Sequence, residues 1–116
     1  MAYSRGGIYL ANFNPSKGTE AGKTRPCLVM QSDLLNHAGH PSTTVLPLTT
    51  NLIDAAAPLR FRLMARDNLM QDSDVMIDQT RTLDNRRLEP TTLSRLNPNE
   101  LLVIEQYWRI VLGFEF

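Results

Sequence analysis

One polar loop of the sequence delivers a carboxylate and an arginine to the start of an apolar strand. Residues 18–26 read Gly-Thr-Glu-Ala-Gly-Lys-Thr-Arg-Pro, which brings Glu20, Lys23 and Arg25 close together. A guanidinium stays protonated at neutral pH, and its planar fork of N–H donors matches phosphate oxygens. Arg25 could therefore clamp a phosphate at the mouth of the strand. The alternative is a solvated loop in which Arg25 merely pairs with Glu20.

Two further segments carry polar groups at strand ends. In residues 46–51, the hydroxyls of Thr49 and Thr50 and an amide follow directly on an apolar run. Such groups can donate to phosphate oxygens, but they are also ordinary turn formers. Residues 78–88 place a second polar cluster after another strand, and its candidate binding side chains are Asp78, Gln79, Arg81 and Arg86. Capping of the strand end is the alternative role for that cluster.

The cysteine and the two histidines are poor candidates for chemistry. Cys27 lies inside the run Cys-Leu-Val-Met, which indicates a buried strand residue. His37 and His40 lie in a loop of Gly, Pro and Ser, so we expect solvated side chains. The sequence therefore predicts neither a metal site nor a cofactor.

Charge and hydropathy limit the binding modes of the chain. Twelve basic and twelve acidic residues give a formal net charge of zero, so any binding to nucleic acid must be local rather than through bulk charge. No stretch approaches the length of a membrane-spanning helix, and the first residues lack an apolar signal core. We therefore expect a cytoplasmic protein that does not bind a membrane.

Short strand-like runs bounded by turn residues occupy most of the N-terminal part of the chain. They cover residues 8–13, 26–31, 44–48, 59–63 and 75–80. Within residues 59–63, apolar side chains alternate with two arginines, which predicts a half-buried strand. Pro47 lacks a backbone donor, so we expect the third run to be an edge strand or to carry a bulge.

A C-terminal helix is well signalled. Asn97, Pro98 and Glu100 supply a cap, a proline at the first helical position and a glutamate three residues after the cap. Gly113 suits the helix end, and the apolar stripe expected to pack on the core is Leu101, Ile104, Trp108 and Val111. Several strands followed by one helix indicate a single domain, residues 1–116. Its predicted architecture is mainly β, a strongly bent antiparallel sheet or barrel closed by the helix.

Together these segments resemble the MazF/PemK family of toxin endoribonucleases, which are partners in type II toxin–antitoxin systems. The resemblance begins at Arg-Gly-Gly-Ile-Tyr (5–9) and runs through Asn-Pro-Ser-Lys-Gly-Thr-Glu (14–20), Lys-Thr-Arg-Pro-Cys-Leu-Val (23–29), Val-Leu-Pro-Leu-Thr-Thr (45–50) and Asp-Gln-Thr-Arg-Thr-Leu-Asp-Asn-Arg-Arg-Leu (78–88). Each piece is weak, but their order and spacing over one domain are specific. The resemblance implies an SH3-like antiparallel barrel of the CcdB/MazF/Kid type, a homodimer, and inhibition by the acidic C-terminal tail of a cognate antitoxin protein.

The resemblance also implies a set of site residues. The arginine of the Arg-Pro step is Arg25, the threonine at the end of the third strand is Thr49, and Glu20 matches the acidic residue of the preceding loop. Asp78 matches the aspartate of the Kid/PemK branch, but that branch has an arginine two residues earlier, where this chain has Met76. The MazF-type Arg/Thr pair is therefore favoured over the Kid-type Asp/Arg pair.

The implied reaction is metal-independent, sequence-specific cleavage of single-stranded RNA such as mRNA. Without a metal, the 2′-hydroxyl can attack the adjacent phosphate and leave 2′,3′-cyclic phosphate and 5′-hydroxyl ends. Arg25 suits the stabilisation of negative charge, and Thr49 can add a neutral donor. Glu20 is the better candidate base, because deprotonating a guanidinium near neutrality is costly. The expected RNA-binding residues are Lys23, Thr50, Asp78, Gln79, Arg81 and Arg86.

Two other functions fit the same barrel. A CcdB-like toxin inhibits DNA gyrase through its C-terminal helix and cleaves nothing; here Glu115 and Phe116 follow the helix directly, whereas the Arg-Pro and Thr segments match the nuclease branch. A catalytically silent interaction module is the third possibility. The intact pair of Arg25 and Thr49 argues against it.

Overall fold

A computed structural model describes residues 3–114 and, within them, shows seven strands and a long terminal helix. The strands are β1 (Gly7–Asn12), β2 (Thr24–Val29), β3 (Ser42–Thr49), β4 (Arg60–Leu63), β5 (Ser73–Met76), β6 (Arg81–Asp84) and β7 (Leu88–Arg95). The short helix α1 covers Asp33–His37, a 3-10 turn covers Asn85–Arg87, and α2 covers Pro98–Leu112. Glu115 and Phe116, which entered the comparison with CcdB, lie outside the described residues.

The strands form one antiparallel sheet in the order β4-β5-β3-β2-β1-β7, with β6 also pairing β3. Along one edge of β3, β6 pairs with residues 42–45, and β5 pairs with Leu48 and Thr49. The loop between β4 and β5 also contacts β7, because the Asn68 N–H donates to the Leu93 carbonyl (3.0 Å). The predicted mainly β, barrel-like fold with a C-terminal helix is confirmed, and the barrel is open rather than closed by a continuous ladder.

Two groups of buried side chains fill the two faces of this sheet. Alternate residues of β2 and its extension belong to different groups: Cys27 and Val29 to one, Leu28 and Met30 to the other. Successive side chains of a strand point to opposite faces, and both faces of β2 are covered. This explains why the run is apolar without alternation, and it makes β2 a rigid base for the polar loop that precedes it.

The expectation that Pro47 marks an edge strand or a bulge is wrong. β3 lies in the middle of the sheet, and Pro47 is buried opposite Cys27 of β2. The missing N–H is tolerated because of the pairing on the edge of β3 that faces away from β2. On that edge β6 pairs with β3 as far as Val45, and β5 pairs with β3 from Leu48. Pro47 therefore has no paired residue on that edge and needs no donor there.

The predicted strand over residues 75–80 is displaced, and β6 and β7 are absent from the sequence prediction. β5 ends at Met76, after which the Gln79 N–H bonds back to the Met76 carbonyl (3.2 Å) and makes a turn. Within β7 only Leu88 and Ser94 are buried, so its sequence shows no apolar alternation. Both strands exist because they pair with β3 and β1.

The terminal helix is confirmed together with its signals. The Asn97 side chain accepts the Glu100 N–H (2.8 Å), and the Glu100 carboxylate accepts the Asn97 N–H (2.9 Å), which is a complete capping box. Gly113 ends the helix with a φ of 82°. Ile104 is fully buried, and the rest of the apolar stripe packs against the same group. No helix within residues 3–114 is long and apolar enough to cross a membrane.

Candidate active site

Arg25 lies in β2 opposite Ala11 of β1, and two backbone carbonyls hold its guanidinium. Nε donates to the Gly22 carbonyl (2.7 Å), and a terminal nitrogen donates to the Leu48 carbonyl (3.3 Å). The remaining guanidinium N–H groups stay available to a ligand. Within residues 3–114 no carboxylate pairs with Arg25, so the surface ion pair with Glu20 does not form.

The electrostatics of Arg25 suit an anionic ligand. Burial lowers the pKa of Arg25 from its ordinary value, because the half-buried cation loses hydration. The carbonyl dipoles orient the guanidinium without neutralising it. A phosphate bound here would supply the missing negative charge through paired N–H···O bonds.

A cavity of about 270 Å³ opens beside Arg25, which we call the Arg25 cavity. Its lining comprises Lys23, Thr24, Arg25, Pro26, Leu48, Thr49, Thr50, Asn51 and Ser73. β2 and the end of β3 thus bring Arg25 and Thr49 to one opening, with Lys23 and Thr50 beside them. The Thr49 hydroxyl accepts the Asn51 N–H (3.1 Å), which leaves its own proton free for donation.

A buried carboxylate holds the turn that follows Thr49. Asp74 of β5 pairs with Thr49 in register and is fully buried. It accepts hydrogen bonds from the Ile53 N–H (2.8 Å), Arg62 Nε (2.5 Å) and Arg60 (3.3 Å). Burial raises the pKa of Asp74, but hydrogen bonds from Arg62 and Ile53 and the two arginine charges outweigh it, so the net shift is downward. Asp74 was not predicted from the sequence. Arg60 and Arg62 lie on one face of a half-buried strand, and this pattern could have indicated an acidic neighbour.

Glu20 faces a different opening, also of about 270 Å³, which we call the Gln79 cavity. Its lining comprises Phe13, Thr19, Glu20, Ala21, Pro47, Asp78, Gln79, Thr80 and Arg81. The Glu20 carboxylate is exposed and accepts the Lys17 N–H (2.7 Å). The structure therefore does not bring Glu20 or Asp78 into the Arg25 cavity. Met76 is buried, so the position where the Kid branch has an arginine belongs to the core.

The polar groups of Gln79 and Arg81 bond to the loop of residues 14–24. The Gln79 carbonyl accepts the Ala21 N–H (3.1 Å), and its amide nitrogen donates to the Thr19 carbonyl (3.2 Å). Arg81 donates to the Pro15 carbonyl of the loop (3.3 Å) and to the Phe13 carbonyl just before it (2.6 Å), and its guanidinium lies over the Phe13 ring. Both side chains therefore organise the loop that precedes Arg25.

The other candidate residues lie outside both cavities. Arg86 pairs with Asp84 on the surface and holds the pKa of that carboxyl at about 2. Cys27 is fully buried, and burial raises the pKa of its thiol to about 12, as suits a core residue. His37 and His40 are exposed. Within residues 3–114 no three metal-binding side chains form a group.

Fold and site together define a small open-barrel protein with a cationic cavity suited to a phosphate. The sequence model of the PemK-like, MazF-like toxin of type II toxin–antitoxin systems matches residues 4–112. The chain belongs to this toxin family, and the resemblance seen in the sequence is confirmed. Among curated proteins, Endoribonuclease MazF of Staphylococcus epidermidis is 31% identical over 110 residues, which cover 94% of this chain and 90% of that protein.

Solved structures share the fold. The crystal structure of MazF from Deinococcus radiodurans has a TM-score of 0.81 at 25% identity and covers 98% of this chain and 99% of that one. An endoribonuclease in complex with its cognate antitoxin from mycobacterial species has a TM-score of 0.78 at 20% identity and covers 99% of both chains. At that lower identity the likeness concerns the fold.

Proposed function

We propose that this chain acts as the toxin of a type II toxin–antitoxin pair by cleaving single-stranded RNA without a metal ion. Family membership and the endoribonuclease activity named for the Staphylococcus epidermidis relative support the reaction class. The observation that carries the proposal is a half-buried guanidinium, without an anionic partner among residues 3–114, beside a hydroxyl with a free proton in one cavity. Cleavage of a phosphodiester requires stabilisation of added negative charge, which these donors can provide.

Arg25 and Thr49 bind the scissile phosphate. The carbonyls of Gly22 and Leu48 fix the guanidinium before the substrate arrives, so little reorganisation accompanies the reaction. The free N–H groups of Arg25 and the Thr49 hydroxyl donate to the non-bridging oxygens. Their hydrogen bonds strengthen as those oxygens gain charge, which lowers the barrier.

The nucleophile is the ribose 2′-hydroxyl of the substrate. Its oxygen forms a bond to phosphorus while the bond from phosphorus to the 5′-oxygen breaks, which gives 2′,3′-cyclic phosphate and 5′-hydroxyl ends. One proton leaves the 2′-hydroxyl and another reaches the 5′-oxygen. The residues lining the Arg25 cavity include no carboxylate and no imidazole. Glu20 therefore acts as base only if its exposed side chain turns from Lys17 toward the phosphate.

Glu20→Gln tests that assignment. A positioned general base contributes about a hundredfold or more, so the cleavage rate should fall by about that factor. The single-turnover cleavage rates of both proteins at neutral pH measure it. A Glu20→Gln variant with wild-type rates would exclude Glu20 as the base and leave the role of Arg25 intact.

The RNA strand runs from the Arg25 cavity toward the Gln79 cavity in this proposal. Lys23 and Thr50 contact the backbone beside the scissile phosphate. Asp78, exposed in the Gln79 cavity, accepts from a base edge, and Arg86 contacts the backbone from the surface. Any RNA contact of Gln79 or Arg81 would be additional to their bonds within the protein.

We also infer that a homodimer forms and that the acidic C-terminal tail of an antitoxin occupies the Arg25 cavity. An apolar groove of about 350 Å³ shares Pro26, Thr50 and Ser73 with that cavity. Apolar side chains of a tail fit the groove while its carboxylates reach Arg25. The mycobacterial endoribonuclease solved with its antitoxin supports such a complex. RNA and antitoxin should therefore compete; simultaneous, independent binding would exclude a shared site.

End mapping tests the function. The purified protein is incubated with a long single-stranded RNA in EDTA, and both new ends are identified. We expect cleavage at a short sequence, a 5′-hydroxyl and a 2′,3′-cyclic phosphate, and no cleavage where the scissile nucleotide is 2′-deoxy. Arg25→Ala, purified in parallel, controls for contaminating ribonuclease. Absence of cleavage combined with inhibition of DNA gyrase would overturn the proposal in favour of a CcdB-like toxin.

A further inference from the structure

Gln79 contacts the loop that orients Arg25, although it lies outside the Arg25 cavity. We propose that Gln79 is a positioning residue for RNA cleavage: it holds the loop of residues 14–24 so that the Gly22 carbonyl orients the Arg25 guanidinium. This inference rests on the proposed function and adds a residue that acts through the loop.

The Gly22 carbonyl links the loop to the Arg25 guanidinium. Arg25 Nε donates to the Gly22 carbonyl at 2.7 Å, which is shorter than its second bond, to Leu48 of β3, at 3.3 Å. Leu48 is fully buried in the sheet, whereas Gly22 belongs to the loop. The direction of the guanidinium plane therefore depends on where the loop holds its Gly22 carbonyl.

Side chains from outside the loop hold it in place, although residues 14–20 are exposed. Within residues 3–114, Arg81 donates to the Pro15 carbonyl (3.3 Å) and Arg87 donates to the Asn14 carbonyl. Residues 16–21 are reached from outside the loop by the two hydrogen bonds of Gln79. The bond between Glu20 and Lys17 is internal to the loop. The Gln79 amide thus bonds to Thr19 through its nitrogen and to Ala21 through its oxygen, and Ala21 directly precedes Gly22.

The residues on both sides of the Gln79 contact are themselves held in place. The Thr80 hydroxyl accepts the indole N–H of Trp108 on α2 (2.8 Å), which anchors the segment that carries Gln79. On the loop side, a Cβ at Gly22 would lie 2.6 Å from the Ser16 hydroxyl oxygen, so the loop closes tightly on itself there. The Lys23 N–H, in the same peptide group as the Gly22 carbonyl, donates to the Asn14 side chain (2.9 Å), so Gln79 holds this carbonyl from the Ala21 side and Asn14 holds it from the Lys23 side.

The test compares Gln79→Ala and Gln79→Glu with wild type and with Gln106→Ala, a matched change at an exposed position of α2. Amide hydrogen exchange at Ala21 and the Nε–H resonance of Arg25 report the loop without any substrate. Gln79→Ala should raise the Ala21 exchange rate by about tenfold, the scale expected for lost hydrogen bonds. Gln79→Glu keeps the acceptor for the Ala21 N–H but loses the donor to the Thr19 carbonyl. Its Ala21 exchange rate should therefore lie between those of wild type and Gln79→Ala.

Cleavage kinetics complete the test. In Gln79→Ala, kcat should fall by about tenfold at every cleavage site while KM changes less than about twofold, because Arg25 is misaligned and binding is retained. Unchanged Ala21 exchange, or a changed cleavage sequence with unchanged kcat, would overturn positioning and assign Gln79 to base reading. If wild-type protein cuts no RNA, the proposed function fails, whereas the Ala21 and Arg25 signals still decide whether Gln79 holds the loop.

Discussion

Replacing Asp74 by asparagine should destabilise the fold, because two arginines lose the anion they share. The carboxylate is fully buried and accepts hydrogen bonds from Arg60, Arg62 and the Ile53 N–H. Asparagine has nearly the same shape and keeps one oxygen acceptor. The substitution therefore removes mainly the negative charge and leaves two cations beside a buried amide.

The expected loss is about 2–3 kcal/mol in the free energy of unfolding. Breaking a buried ion pair by removing one partner costs about 3–5 kcal/mol. The side chains of Arg60 and Arg62 are 18% and 33% exposed, however, so water screens part of the uncompensated charge. For a chain of 116 residues, such a loss corresponds to a fall of about 10 °C in Tm.

The loss should depend on pH. The pKa of Asp74 is lowered overall in the folded protein, since the arginine and backbone hydrogen bonds outweigh the opposing effect of burial. The contribution of this group to stability is therefore full above the unfolded-state pKa of about 4, and it disappears as pH falls through the lower folded-state pKa. Asparagine does not titrate, so the difference between the proteins should shrink below about pH 4.

Urea unfolding followed by the fluorescence of the single tryptophan, Trp108, measures both effects. Asp54→Asn is the matched control, because the Asp54 side chain is 90% exposed and also pairs with Arg62. An exposed pair should contribute less than about 1 kcal/mol. Equal losses at Asp74 and Asp54, or an Asp74→Asn effect that stays constant down to about pH 3, would show that Asp74 does not stabilise the fold as a buried anion.

Single substitutions at Thr49 and Glu100 and chemical labelling of Cys27 should each give a measurable effect. Thr49→Val should reduce the single-turnover cleavage rate by about a hundredfold through loss of one donor; the exposed Thr91→Val should not, and equal effects would place the loss elsewhere than at the cavity. The Cys27 thiol, buried and with its pKa raised to about 12, should resist alkylation at about pH 8 until urea unfolds the protein, whereas rapid labelling of the folded protein would contradict its burial. Glu100→Gln removes the anionic partner of Arg66 (2.7 Å) and should lower stability by about 1 kcal/mol at neutral pH. The Arg66 hydrogen bond lowers the pKa of Glu100, so the loss of stability should be smaller in acid than at neutral pH. Urea unfolding in acid and at neutral pH measures the difference, and an equal loss under both conditions would argue against the ion pair.

Local signals predicted the terminal helix accurately, because the capping box of Asn97 and Glu100 and the stop at Gly113 act between near neighbours. The first strands were predicted nearly in place for a similar reason, since their apolar runs follow from burial. β6 and β7 could not be found in this way. Their residues are mostly exposed, and they are strands because β3 and β1 offer hydrogen-bonding edges. Such pairing is a property of the folded sheet rather than of the segment.

In the site, too, residue types could be predicted from the sequence, whereas contacts that depend on the folded chain could not. Arg25 and Thr49 stood out by residue type and by the family resemblance, and the fold brings both to one cavity. The separation of Glu20 from that cavity could not be predicted, because it depends on a loop path that Gln79 and Arg81 fix from distant positions in the sequence. Asp74 was missed because its charge is satisfied by partners distant in sequence.

The single-turnover cleavage rate of Arg25→Ala on one defined RNA in EDTA tests whether Arg25 binds the scissile phosphate. Arg109→Ala, at an exposed position of α2, serves as the matched arginine control, and the unfolding midpoint of each protein verifies the fold. Loss of a preorganised donor at the transition state should reduce the rate of Arg25→Ala by about a hundredfold to a thousandfold, with Arg109→Ala unchanged. A folded Arg25→Ala protein that cleaves RNA as fast as wild type would contradict the assignment of Arg25 as the phosphate clamp.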